Sequence, residues 1–455
     1  MNGAALALAF ALATSGCRND GPVGAAGPYV PPFEANLLLI SIDTLRADHL
    51  SAYGYARPTS PHIDALAADG HRFEAAYSAI PSTLPSHAAL LTSLFPSSLG
   101  VYDNGERLAP EAVTLAERLA AAGFATAAFV SETPLDPSTG IDQGFALFEG
   151  PDERAAARAA RWLGEVGDRR FFCFVHLFHP HTSYLVHPEL PEPFALPPGM
   201  YPGERGRLKG LERFSPEHVR RTITAYDGEI RFADREVGAL LAALDRTRLR
   251  SRTLVAFVSD HGETLDEMLE SSAYGFDHGE FLSGRELREP LVLWLPPAFP
   301  GREPRVYGET VSTLDLMPTI LELLGLSCPT HCEGRSLVPL LLSETLPERG
   351  AISERKRSSR GRRPDAAREL SIVRGRWQLI TSNFRPDALY DRAADPGETR
   401  NVIDAHPSVA ADLRAALREW SDAHETPLWT PPPPLPIPPA VRRSLESLGY
   451  LEPSE

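Results

Sequence analysis

"ANLLLISIDTLRADHL", residues 35–50, is the stretch that decides the fold class. It is an apolar run that ends abruptly in Asp43 and Thr44. A run that is apolar on both faces predicts a strand buried between two helical layers, as in parallel sheets. In such sheets, ligands bind beyond the carboxyl ends of the strands. We therefore expect an α/β fold with Asp43 at the edge of a binding site.

The same pattern recurs along the chain. Four further short β-rich runs are "FATAAFVS" (124–131), "RFFCFVHLFHPH" (170–181), "RTLVAFVSDHG" (252–262) and "EPLVLWLP" (289–296). Segments with helical character separate them, at 112–122, 154–167 and 216–244. Alternating strands and helices predict a layered domain with a central, mostly parallel sheet between helices.

Three of these runs end in acidic or imidazole groups. They are Asp43 after the first run, His176, His179 and His181 in the third, and Asp260 with His261 in the fourth. Because the carboxyl ends of parallel strands meet at one edge of the sheet, we expect these groups to lie close together. One such ending would carry little weight, but three predict a functional site.

Composition shifts divide the chain into five parts. We predict a signal peptide at 1–17, a flexible tether at 18–34, a catalytic domain at 35–345, a small α+β subdomain at 346–430 and a Pro-rich tail at 431–455. The tether is rich in Gly, Pro and Ala, and the tail contains "TPPPPLPIPPAV". Such a tail is expected to wrap over the protein and not to fold separately.

The first segment, "MNGAALALAFALATSGC", has the features of a targeting sequence. Its apolar stretch from Ala4 to Ala13 is too short to span a bilayer and suits the apolar region of a secretory signal. Residues 14–17 resemble a bacterial lipoprotein box, in which Cys17 would become the lipidated first residue. A plain cleaved signal is the alternative. Either predicts export, to a periplasmic or outer-membrane-anchored location.

The net charge of the sequence limits the classes of binding partner. The net charge of −15 argues against nucleic acid binding over the whole surface. It does not exclude a small anionic substrate, because a bound metal or an Arg cluster can reverse the local field. Lys209 and Lys356 are the only lysines of the sequence, so few residues could provide a catalytic ammonium.

The cysteines of "SCPTHC", Cys328 and Cys332, are close enough in sequence for a small-loop disulfide. An exported location permits such a bond. With His331 between them a metal site is the alternative, but two cysteines and one histidine do not complete a structural zinc set. The disulfide is the favoured interpretation.

The stretch "IPSTLPSHAALLTSLFP", residues 80–96, crowds hydroxyls, a proline and a histidine at an expected helix start. Two interpretations are open: an ordinary capped helix, or Thr83 presented as a nucleophile. A helix N-terminus favours an anion nearby. A free Thr hydroxyl is a poor nucleophile, but coordination to a divalent metal stabilises its alkoxide.

The strand-end residues supply the remainder of a site. Two carboxylates, one imidazole and one hydroxyl oxygen are a plausible ligand set for one divalent cation, and the candidates are Asp43, Thr83, Asp260 and His261. Outside this set, His181 and His278 could neutralise developing charge or protonate a leaving oxygen.

Several blocks of the sequence resemble the sulfatase family of the alkaline-phosphatase superfamily. They are "NLLLISIDTLRADHLSAYGY", "SPHIDALAADGHRFEAAYS", "TLPSHAALLTSLFP", "FVHLFHPH", "YDGEIRFADREVGALL", "FVSDHGE", "VSTLDLMPTILELLGL" and "LYDRAADPGETRNV". They occur in the family's order over roughly residues 35–405. The resemblance implies a metal-dependent hydrolase with an alkaline-phosphatase-like layered fold and a small C-terminal subdomain.

The resemblance also implies roles for single residues. Asp43, Asp260 and His261 match metal ligands, and Thr83 matches the nucleophile. His181 and His278 match contacts to the substrate's ester group. His87 stands where the family has an Arg after the nucleophile, and we expect it to contact the substrate as well.

The departures from the family bear on the reaction. Sulfatases proper carry Cys or Ser at the position of Thr83, which is oxidised to formylglycine, so no formylglycine is expected here. Asp43 is followed by Thr44 and not by a second Asp, which removes one hard oxygen ligand. His261 stands where calcium-binding members often have Asn, so manganese or zinc is favoured over calcium.

The predicted function is therefore a metal-dependent hydrolase of sulfate or phosphate esters that uses Thr83. The substrate would be a sulfated or phosphorylated small molecule, glycan or lipid head group. A phosphodiesterase, a phosphonate-ester hydrolase or a phosphoethanolamine-type transferase is the alternative, because such members carry an unmodified Thr. An alternative of another class is a catalytically degenerate, surface-tethered protein that binds anionic glycans.

Overall fold

The computed structural model describes residues 34–194, 196, 215–272, 274–356 and 367–433. The predicted signal peptide with Cys17, nearly all of the tether and most of the Pro-rich tail lie outside the described residues. The predictions of lipidation, export and domain boundaries therefore stay predictions.

The catalytic part is built on one eight-stranded sheet. Its strands are β1 Asn36–Ile42, β2 His71–Tyr77, β3 Ala125–Val130, β4 Leu147–Glu149, β5 Phe171–Leu177, β6 Thr253–Ser259, β7 Arg288–Trp294 and β8 Arg305–Ser312. The spatial order is β4-β3-β5-β1-β6-β7-β2-β8. Strand β7 is antiparallel to both of its neighbours, and the other pairs are parallel. The predicted mostly parallel sheet is confirmed.

Helices cover both faces of this sheet. The helices of the described residues are α1 Pro61–Ala68, α2 Thr83–Thr92, α3 Pro96–Leu99, α4 Leu115–Ala121, α5 Ala155–Glu165, α6 Pro216–Arg246, α7 Leu269–Ser272, α8 Gly284–Leu287, α9 Leu316–Leu323, α10 Val338–Leu341 and α11 Pro407–Ala423. Helices α2, α4, α9 and α10 contribute to the hydrophobic core on one face, and α1, α5 and α6 to the core on the other.

Strand β1 shows why the run at 35–50 is apolar throughout. Leu37 and Leu39 pack into the first core, whereas Leu38 and Ile40 pack into the second. Successive side chains of a strand point to opposite faces, so a strand between two helical layers needs apolar residues at every position.

The C-terminal subdomain is a four-stranded antiparallel sheet with one helix, which confirms the predicted α+β character. Its strands are β9 Ala351–Lys356, β10 Arg368–Arg374, β11 Trp377–Ser382 and β12 Ala388–Asp391, in the order β12-β11-β10-β9. Helix α11 packs on this sheet through Leu413, Leu417 and Trp420. Strand β9 joins the subdomain to the catalytic part, where the Glu354 N–H donates to the carbonyl of Ala79 at 2.8 Å.

Two local differences from the sequence analysis have clear causes. The helix expected at 112–122 begins at Leu115, because Thr114 and Glu117 form a capping box that fixes its start. Strand β2 was not predicted, because Arg72 and Glu74 interrupt the continuous apolar run that marked the other strands.

Cys328 and Cys332 are free thiols whose sulfur atoms lie 3.1 Å apart, so the disulfide stays a prediction. Within the described ranges, no helix combines the length and apolarity needed to cross a bilayer.

Candidate active site

Two adjacent strands deliver two carboxylates to the same point. Ile42 pairs with Ser259 in the parallel register of β1 and β6, so the residues that follow them, Asp43 and Asp260, lie side by side. Both are completely buried. The ligand atoms of these two residues and of His261 lie within 4.8 Å of one another. The structure thus brings together three of the predicted metal ligands.

The imidazole of His261 is oriented toward the carboxylates. Its Nδ1–H donates to the Gly262 carbonyl at 3.0 Å, which leaves the lone pair on Nε2. This Nε2 lies 3.7 Å from Asp43 Oδ1 and 3.4 Å from Asp260 Oδ2. A backbone hydrogen bond that fixes the tautomer is the usual support of a metal-binding histidine.

Thr83 is the first residue of α2, and its Oγ1 lies 3.5 Å from His261 Nε2. The capping role is taken by another residue, because Asn104 Oδ1 accepts from the Leu84 N–H at 2.8 Å. Ser86 ties the helix to the sheet, since its Oγ donates to the Asp260 carbonyl at 2.6 Å. The structure therefore places the Thr83 hydroxyl beside the predicted metal ligands and does not use it as a helix cap.

His87 is the fifth residue of α2 and is completely buried. Its Nδ1–H donates to the Thr83 carbonyl at 2.7 Å, so its Nε2 accepts from the Ser41 hydroxyl at 2.9 Å. Burial, with a smaller contribution from His176, lowers the pKa of His87 to about 3. Both ring nitrogens face protein groups, and the predicted contact of His87 to substrate stays a prediction.

The two outer histidines also lie at this site. The ring centroids of His181 and His278 are 4.9 Å apart, and those of His261 and His278 are 4.5 Å apart. His181 stacks on Phe178, and its Nδ1–H donates to the Thr182 carbonyl at 2.5 Å. His278 Nδ1 lies 3.9 Å from Glu263 Oε1. The predicted pair of imidazoles is thus brought next to the carboxylates.

His176 is a site residue to which the sequence analysis gave no role. It is completely buried, and its Nε2 lies 3.4 Å from Asp43 Oδ2. Neither ring nitrogen makes a hydrogen bond, and burial lowers its pKa to about 3. The strand-end pattern included His176 among the groups expected at this edge, but its contact with Asp43 follows from the pairing of His176 with Ser41 in neighbouring strands, which requires the strand order.

The chemistry of the donor set fits a divalent cation. Asp260 Oδ1 accepts from the N–H groups of His261 and Thr44, but its Oδ2 is buried and accepts no hydrogen bond. Burial and the neighbouring Asp43 carboxylate raise the pKa of Asp260 well above its usual range. Two buried carboxylates at this distance repel each other unless a cation or a proton lies between them.

Tyr226 of α6 holds the turn that follows Asp43. Its hydroxyl donates to the Thr44 carbonyl at 2.8 Å and accepts from the Arg46 N–H at 3.0 Å. We expect Tyr226→Phe to lower the free energy of unfolding by about 1–3 kcal/mol, because the Arg46 N–H would be left buried without an acceptor. Urea titration would measure this loss, and a change within error would show that the turn finds another partner.

Comparison with known protein families assigns the chain to the hydrolases of the alkaline-phosphatase superfamily. The model of the sulfatase family matches residues 35–326. The model described as "N-sulphoglucosamine sulphohydrolase, C-terminal" matches residues 273–423. The chain belongs to the sulfatase family and is a hydrolase that acts on ester bonds.

Individual proteins agree with this assignment. The chain is 27% identical to a choline-sulfatase of Rhizobium meliloti, over 86% of this chain and 86% of that one. It is 26% identical to arylsulfatase A of Bos taurus, over 84% of this chain and 86% of that one. The crystal structure of a phosphonate monoester hydrolase of Agrobacterium radiobacter shares the fold, with a TM-score of 0.71, 22% identity, and coverage of 86% of this chain and 96% of that one.

Proposed function

We propose that the protein is a metal-dependent hydrolase of sulfate or phosphate esters in which Thr83 is the nucleophile. The observation that carries the proposal is the position of Thr83 Oγ1, 3.5 Å from His261 Nε2, above the paired carboxylates of Asp43 and Asp260. A hydroxyl used only to cap a helix would have no reason to be placed there.

One divalent cation would be held by Asp43, Thr83, Asp260 and His261. When bound, it would lower the pKa of the Thr83 hydroxyl and polarise an oxygen of the substrate's ester group. The imidazole ligand and the missing second Asp favour manganese or zinc over calcium. No formylglycine is part of this site, since Thr cannot be converted to that aldehyde.

The steps of ester hydrolysis are assigned to side chains as follows. The proton of the Thr83 hydroxyl passes to solvent, Oγ1 attacks the sulfur or phosphorus, and the bond to the leaving alcohol breaks. His181 or His278 gives a proton to the leaving oxygen. Water then attacks the sulfur or phosphorus of the Thr ester, the bond to Oγ1 breaks, and sulfate or phosphate is released. One proton of the water goes to Oγ1, and the other returns to the imidazole that protonated the leaving alcohol. His87 acts as a positioning residue through its hydrogen bond to the Thr83 carbonyl.

The choice between sulfate and phosphate stays open in this proposal. A choline-sulfatase and arylsulfatase A among the relatives support a sulfated small molecule, and a sulfated or phosphorylated glycan or lipid head group fits the same chemistry. The unmodified Thr and the likeness to a phosphonate monoester hydrolase fold support phosphoryl chemistry. A membrane attachment through Cys17 and an envelope location belong to the same proposal, which assigns no nucleic acid partner.

Turnover assays distinguish these possibilities. The purified protein, loaded with manganese, zinc or calcium, would be tested on an aryl sulfate, a phosphate monoester, a phosphodiester and a phosphonate ester. We expect turnover of at least one. A protein that binds metal but turns over none of them would support the alternative of a degenerate anion-binding protein.

We expect His181→Ala and His278→Ala each to lower kcat/KM by roughly 10²–10³-fold, in the range of lost general acid catalysis. If one of them protonates the leaving oxygen, its loss should be small for a nitrophenyl leaving group and larger for an alkyl alcohol. The exposed His62 on α1 provides the control substitution His62→Ala. Equal losses on both leaving groups would contradict the role of general acid.

A further inference from the structure

A second group of metal-ligating side chains lies outside the active site. It comprises His179, His187 and Glu229, whose ligand atoms all lie within 4.8 Å of one another. The Glu229 carboxylate is completely buried and lies between the two imidazoles. Its Oε2 contacts His179 Nδ1, and its Oε1 lies 3.0 Å from His187 Nε2.

This cluster, hereafter the His179 cluster, has the composition of a zinc site. Two imidazoles and one carboxylate, with a fourth position for water, is a common ligand set for Zn²⁺. Zinc with bonds of about 2.1 Å would bring the three donor atoms to about 3.4 Å from one another. The donors need only small side-chain movements to reach that spacing.

The surroundings of the His179 cluster are acidic. Glu189 Oε1 lies 4.0 Å from His187 Nδ1. Arg235 Nη1 lies 3.5 Å from the same Glu189 oxygen, so the buried Glu229 carboxylate is the main negative charge beside the two imidazoles, and it favours a bound cation.

The His179 cluster connects two parts of the chain. His179 and His187 lie on the segment after β5, whereas Glu229 lies on α6. The Leu185 N–H also donates to Glu229 Oε1, at 2.5 Å, and the His187 ring stacks on Phe232 of α6 at 4.1 Å between centroids. The segment that carries His181 therefore contacts α6 through the Glu229 carboxylate and the Phe232 ring.

We propose that His179, His187 and Glu229 form a second metal site, which takes Zn²⁺ and clamps the segment 179–187 onto α6. The site is separate from the ligand set of Asp43, Asp260 and His261. It does not depend on which ester the enzyme cleaves.

The test removes ligands of the active-site metal, so that only zinc bound at the His179 cluster is measured. The full-length Asp43→Asn/Asp260→Asn protein would be stripped with a chelator, incubated with ZnCl₂ and passed over a desalting column. We expect one zinc per chain by plasma mass spectrometry and none after the further substitution His187→Ala. The matched substitution His218→Ala, which lies on α6 outside the cluster, should keep the zinc. Zinc should raise the melting temperature of the parent by several degrees and leave that of the His187→Ala protein unchanged.

The opposite result would overturn the proposal. A folded Asp43→Asn/Asp260→Asn protein without zinc would show that the His179 cluster is only a hydrogen-bonded network. Zinc retained after His187→Ala would place the metal elsewhere. If His187→Ala does not fold, His179→Asn is the second variant, and circular dichroism checks the fold of each protein.

Discussion

Thr83→Ala should lower kcat by roughly 10⁴-fold or more, the loss expected when an enzyme's nucleophile is removed. The hydroxyl lies 3.5 Å from His261 Nε2, beside the carboxylates of Asp43 and Asp260. The loss should affect kcat and kcat/KM alike, because the Oγ1 bond to sulfur or phosphorus forms only during the reaction. Steady-state and single-turnover assays on the best substrate would measure it.

The control comes from the same helix. Thr92 ends α2, and its hydroxyl is used within the helix, where it donates to the Ala88 carbonyl at 2.7 Å. Thr92→Ala therefore removes a buried hydroxyl of the same kind without touching the site, and it should keep most of the activity. Mass spectrometry of the quenched wild-type reaction should find sulfated or phosphorylated Thr83. Undiminished turnover by Thr83→Ala would refute the assignment of the nucleophile.

Asp260→Asn should weaken binding of the active-site metal by more than about 100-fold, since loss of a group that merely supports a ligand already costs about 10–100-fold. The stability of the protein without metal should not fall in the same way as its affinity for metal. The pKa of Asp260 is raised by burial and by Asp43, so removing its charge relieves repulsion in the absence of metal. We expect the metal-free variant to melt at the same temperature as metal-free wild type or higher, and to gain less stability when metal is added.

Calorimetric titration with Mn²⁺ and Zn²⁺, together with melting curves, would test both parts. Asp412→Asn, an exposed position on α11, is the matched control and should bind metal like wild type. Unchanged affinity in Asp260→Asn would remove Asp260 from the ligand set. A metal-free variant less stable than metal-free wild type would show that the carboxylate has another structural partner.

The sequence was sufficient for the parts of the site that depend on where a strand ends. Asp43 and Asp260 follow apolar runs, and the strand-end rule holds whatever the strand order is, so their proximity could be predicted. Their side-by-side position depends on the register of β1 and β6, which no local pattern contains. The confirmed α/β class has the same origin, because an uninterrupted apolar run requires cover on both faces.

Other features depend on tertiary neighbours and could not be read locally. His176 reaches Asp43 only because β5 adjoins β1. The substitution of His87 for the family's Arg suggested a contact to substrate, yet the structure surrounds its ring with Ser41 and the Thr83 carbonyl. The reversed direction of β7 is likewise a property of its neighbours, since an apolar strand looks the same in either direction.

The burial of α2 has a consequence for how this enzyme can acquire new substrates. Every residue from Thr83 to Thr92 is buried, so any added side-chain volume there must displace well-packed neighbours, at a cost of about 1–3 kcal/mol. Larger side chains are therefore disfavoured in α2, the helix that carries Thr83. Divergence toward other esters is expected in the surface segments around the site, so libraries built to alter specificity should leave 83–92 constant.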